Sequence, residues 1–190
     1  LVISSVASSF TGNTIVSSGT LSISGIAAVL GTGTVTVNNG ATFDINGVLT
    51  GGNFSNVLNL NNATLSVTGN NTLSGGALTL TGTNFVTPTN TLIITKAIGG
   101  AGTLNMNGSG TLTLNTANSF GGMTLTSGVL IAGNATAFGT NVLTLNGGTL
   151  STSAAFTLGN SSFVVNNNVI IGGTTNMTLP TGTLNAGSTL

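Results

Sequence analysis

Apolar and polar residues alternate along this chain with a period of two, and the alternation restarts again and again from one end to the other. Leu21 and Ile23, Val35 and Val37, Phe43 and Ile45, Leu58 and Leu60, and Leu65 and Val67 are flanked and separated mostly by Thr, Ser or Asn. The same pattern returns at Leu78 and Leu80, Leu92 and Ile94, Leu104 and Met106, Leu112 and Leu114, and Met123 and Leu125. It closes with Leu143 and Leu145, Phe156 and Leu158, Phe163 and Val165, and Met177 and Leu179. Successive side chains of a strand point to opposite faces, so this spacing predicts short strands with one apolar side, recurring at roughly ten-residue intervals. Between them stand Asn38-Asn39-Gly40, Gly51-Gly52-Asn53, Gly69-Asn70-Asn71, Gly75-Gly76, Gly99-Gly100 and Gly147-Gly148. Gly and Asn tolerate positive φ, and these clusters are expected to be corners between strands. Helices have no support, because good helix formers are scarce and Gly and β-branched residues fill the chain.

Composition then removes most functions. Of 190 residues only one is basic, Lys96, and one acidic, Asp44, and there is no His, Cys, Trp or Tyr. General acid–base chemistry needs titratable groups working together, and a zinc or calcium site needs several ligands. Phosphate backbones are held by several Lys or Arg, and single-stranded nucleic acids by aromatic platforms. The chain is therefore expected to be no enzyme, with no catalytic, cofactor-binding or metal-binding residues, no cofactor and no nucleic-acid partner. No apolar run reaches the roughly 18 residues of a membrane helix, and no membrane insertion is expected. Disorder goes with low hydrophobicity and high net charge, whereas here the net charge is zero and mean hydropathy is +0.53.

Many short strands with tight corners fit a sandwich, a barrel or a solenoid, and internal repetition favours the last. Residues 9–43 align with 119–150 across three one-residue gaps: Phe10 with Phe120, Gly19 with Gly128, Leu21 with Leu130, Gly31 with Gly139 and Gly40 with Gly148. The expectation is one solenoid domain over 1–190, with repeat units at about 8–50 and 108–154, a degenerate section over 51–108 and degenerate repeats after. At about twenty residues a coil it would make roughly eight to ten coils, a rod of about 40 to 50 Å. Leu-x-Leu side chains would stack in an apolar column, and outward Thr, Ser and Asn would form ladders. Like charges stacked coil over coil would repel, which accounts for their rarity.

The stretch 108–130, GSGTLTLNTANSFGGMTLTSGVL, carries a family resemblance. Gly110, Thr111, Leu112 and Leu114 open the unit, Asn118, Phe120, Gly121 and Gly122 form its turn, and Thr124, Leu125, Gly128 and Leu130 close it. In this order they resemble the autotransporter-associated β-strand repeat of passenger regions in secreted bacterial surface proteins. The resemblance implies an all-β, single-stranded, right-handed parallel β-helix that is extracellular and at the bacterial cell surface, with no catalytic residues to carry over.

Assembly follows from the ends of such a rod. A terminal coil exposes unpaired backbone groups, and neither residues 1–10 nor 180–190 contain a charge to defend them. The expected partner is a second copy stacked head to tail through these coils, giving a structural fibre or sheath subunit. The alternative function is the stalk of an autotransporter-like adhesin displaying a binding tip, and surface glycans as ligands stay open. Asp44, between Phe43 and Ile45, is expected to face solvent. Lys96, after the strand TLIIT, is expected to do the same, with a cross-coil pair to Asp44 as the minor alternative. Thr-x-Thr triplets at 79–81, 111–113 and 124–126 resemble ice-binding arrays, but their irregular spacing points to ordinary outward threonines. The seven Asn-x-Ser/Thr sequons are expected by chance in so Asn-rich a chain.

Overall fold

Parallel pairing of short strands needs a crossover of a dozen or more residues, and this chain supplies it with two further short strands and their corners. The computed structural model describes residues 1–4, 8–26, 30–50 and 53–190, and among these there are strands, turns and bends but no helix. The corner expected at Gly51-Gly52 lies outside the described residues. The result is a parallel β-solenoid of about nine turns, within the eight to ten expected from the sequence.

The first face, face A, contains ten strands in order, from Val2–Ser4 and Thr20–Ser24 at one end to Phe163–Val165 and Gly182–Leu184 at the other, every pair parallel. On this face one turn takes 19 to 22 residues. With strands about 4.8 Å apart, nine steps make a rod of about 43 Å. Face B holds Asn71–Leu73, Thr91–Ile94, Thr149–Thr152 and Ile170–Ile171, together with the second halves of the long strands Thr103–Leu114 and Gly122–Ala132. Face C holds Thr14–Val16, Val35–Val37, Leu58–Asn61, Leu78–Thr81 and Ile98–Gly99.

Stacking places like on like inside. One column runs Leu21, Phe43, Leu65, Val86, Met106, Leu125, Leu145, Val165 and Leu184, and all but the last are buried. Every apolar pair from Leu21 and Ile23 to Leu143 and Leu145 is buried, while Met177 and Leu179 near the end are only half-buried. Outside, Asn ladders form: Asn61 donates to Asn38 at 3.2 Å, Asn166 to Asn146 at 2.8 Å, and Asn185 to Asn166.

The corner between faces A and B in the long strands shows why glycine is needed there. A Cβ on Gly108 would lie 2.2 Å from the Pro88 carbonyl oxygen, and one on Gly128 would lie 2.4 Å from that of Gly108. Gly128 also has φ +79°, in the left-handed region. No other residue fits where three coils bend on one another.

Register across the rod differs from the long sequence match. Leu21 stands in the column of Leu125, whereas Leu130 is on face B between Leu112 and Leu150. The match joins positions about a third of a turn apart, because all faces share the same Leu-x-Leu strands and Gly corners. The stretch 58–114 carries strands on all three faces in successive turns.

Candidate functional site

Parity along the strand decides which side a residue takes, and at Lys96 it prevails over charge. Leu92, Ile94, Lys96 and Ile98 are all buried, with Lys96 only 2% exposed. This corrects the expectation of a solvated lysine: two residues past Ile94 on the same alternation, its side chain enters the interior. In the Leu58–Leu78–Ile98 register, Asn56, Gly76 and Lys96 share a corner on three successive coils. Gly76 contributes no side chain, and the Lys96 ammonium reaches past it to donate to the Asn56 carbonyl oxygen at 2.6 Å. Its Nζ also sits 5.2 Å from the centroid of the Phe54 ring, which packs on Phe43 at 5.2 Å. Burial lowers the ammonium from its usual 10.5 to about 8. Lys96 is an axial tie across three coils.

Asp44 faces outward as expected, half-buried between the inward Phe43 and Ile45. It accepts a hydrogen bond at 2.7 Å from the Ser22 hydroxyl of the coil before. The two charged side chains therefore have different partners on opposite sides of the wall, and the alternative cross-coil ion pair between them does not form.

A second set of interior polar groups escaped the sequence analysis: asparagines that clamp neighbouring coils. Asn84 is fully buried; its side-chain oxygen accepts from the Ala63 amide at 3.0 Å, and its amide donates to the carbonyls of Thr81, Gly82 and Thr103. Asn71 accepts from the Leu49 amide and donates to Gly47 and Thr68, and Asn118 accepts from Ile98 and donates to Ala137. Such residues satisfy backbone groups that the corners would otherwise leave unpaired. The signal for them was parity again: Asn84 precedes Val86, Asn71 precedes Leu73 and Asn118 precedes Phe120 by two positions.

The threonine triplets do not share a plane. Thr79 and Thr81 lie on face C, Thr111 and Thr113 on face B, and Thr124 and Thr126 in the face A half of their strand. No group of three or more His, Cys, Asp or Glu occurs among the described residues.

What the surface does present is apolar at the ends. Leu1, Val2, Phe10 and Ile15 are exposed at one end and Ile170, Ile171, Leu184 and Leu190 at the other. The mouth of the first coil opens as a cavity of about 720 Å³ bordered by Leu1, Ile3, Phe10, Ile15, Leu21 and Leu30. The arrangement has the means to stack and to hold shape. No family model, curated protein or solved structure matches the chain.

Proposed function

We propose that this chain is a structural, non-catalytic β-solenoid of the bacterial cell surface, a subunit of an extracellular fibre or sheath whose copies stack head to tail. The observation that carries this reading is the apolar column on face A, which runs from Leu21 to Leu184 and emerges at both ends among exposed apolar side chains. The edges of Val2–Ser4 and Gly182–Leu184 each pair on one side only, and parallel partners of the same shape would satisfy them. With a net charge of zero, no long-range repulsion opposes close approach of copies. The mechanical logic is continuous backbone pairing along the axis around a largely apolar interior, inside a wall that neither salt nor mild pH change perturbs.

The same open ends also favour a second reading, further coils of one longer polypeptide forming an adhesin stalk, since coils of the same chain would cover them equally well. Electron microscopy with intact mass of the native material separates the two. Long filaments built from a chain of 18.4 kDa support the fibre. A much heavier chain seen as isolated short rods supports the stalk and overturns the fibre.

A further inference from the structure

Two columns of outward side chains run along face A. One contains Thr83, Thr103 and Gly122, and the other Phe85, Asn105, Thr124 and Thr144. Where Gly122 brings no side chain to the first column, the wall is notched: a hollow of about 370 Å³ is bordered by Thr103, Thr124, Asn141, Val142 and Thr144. A Cβ on Gly122, which is buried at the floor of the hollow, would rest in ordinary van der Waals contact with the Val142 carbonyl oxygen at 3.6 Å and the Thr103 methyl at 3.7 Å. The three threonines are half-exposed, and Val142 is exposed beside them. Two coils away in the column of Thr124, about 10 Å along the axis, Phe85 is 41% exposed on the same surface.

The charge distribution fixes the chemistry of what fits. The one lysine is buried on the Asn56 carbonyl. Asp44 lies in the Ser22–Asp44–Ser66 column, four strands before Gly122 and about 19 Å from it along the axis. Neither an anionic nor a cationic ligand finds a counter-charge here. A peptide strand finds no edge to join, because the face A strands around the notch already pair on both sides. What remains are hydroxyls, an amide and an aromatic ring on a rigid sheet. We propose that the notch binds a neutral oligosaccharide lying along the rod axis, with sugar hydroxyls on Thr103, Thr124, Thr144 and Asn141 and a further sugar ring stacked on Phe85. This does not depend on whether the rods associate end to end.

The test is calorimetric titration of the purified chain with cellohexaose, chitohexaose, mannohexaose and laminarihexaose, with oligogalacturonate and a heparin oligosaccharide as charged controls. At least one neutral hexasaccharide binds, with an affinity unchanged by salt. Thr124→Val with Thr144→Val keeps the strand shape and removes two hydroxyls, weakening binding about tenfold or more. Phe85→Ser weakens it by a similar factor, while far-UV circular dichroism stays that of the parent. Failure of all four neutral sugars to bind, equal or tighter binding of the charged controls, or variants that bind as the parent does would overturn the proposal.

Discussion

Replacing Lys96 with methionine removes the ammonium and keeps most of the stem, and the consequence depends on pH in a way the structure fixes. In the folded chain the amine titrates at about 8, against 10.5 when solvated. Below about pH 8 both states carry the proton, and the folded state bears the full cost of a buried charge. Between about 8 and 10.5 the folded amine is neutral while the unfolded one is still charged, so the unfolded state binds more protons and stability rises with pH. Above 10.5 the gain is complete. The gap corresponds to roughly 3 kcal/mol.

The chain has no His, Cys or Tyr, so no other side chain titrates in this window, and the Leu1 amino group is common to both proteins. At neutral pH, Lys96→Met loses the desolvation cost but leaves the Asn56 carbonyl without its donor, a loss of about 1 to 3 kcal/mol, and the two nearly cancel. The assay is guanidinium chloride unfolding followed by far-UV circular dichroism, the chain having no Trp or Tyr to report by fluorescence. The parent gains roughly 3 kcal/mol from about pH 7 to about pH 11 and the variant stays level. Parallel pH profiles for the two proteins, or a parent that weakens over this range, would refute the buried amine.

Asn84→Leu removes the acceptor of the Ala63 amide and the donor to three carbonyls, and is expected to cost about 2 to 4 kcal/mol, with faster hydrogen exchange at Ala63. Gly128→Ala forces a Cβ to 2.4 Å from the Gly108 oxygen at φ +79°; a cost of about 3 kcal/mol or more should appear as a lower midpoint, and an unchanged one would mean the corner is looser than described. Asp44→Asn keeps a hydrogen-bonding partner for Ser22 on the outer wall, and its denaturation midpoint should move by less than about 1 kcal/mol equivalent. Stability of the parent should change little between low and high sodium chloride, since neither charged side chain is held by an ion pair.

The course of each strand could be read locally. Leu92 and Ile94, or Leu112 and Leu114, declare their inward side by alternation alone, and the Gly40, Gly69 and Gly148 corners, all at positive φ, declare themselves by composition. The candidate binding surface was less legible. Thr124 and Thr144 could be read as outward, but nothing marks Gly122 as a gap between Thr103 and Val142 until the coils are stacked. Asn84 and Lys96 lay on the inward parity, yet polarity argued against burial, and only their partners on neighbouring coils make burial affordable.

By itself, then, the sequence determined short strands with one apolar side, glycine corners and an almost uncharged wall, because period-two alternation and residue type act within a few positions, while repetition pointed to a solenoid. Only the tertiary structure decided which turns face which: that Leu21 stacks towards Leu125 and not Leu130, that Gly76 lets Lys96 reach Asn56, and that Gly122 opens a hollow beside Thr124. Those choices belong to residues 19 to 22 positions apart or more, and they are fixed by the packing of whole coils, which near-identical Leu-x-Leu segments do not encode locally.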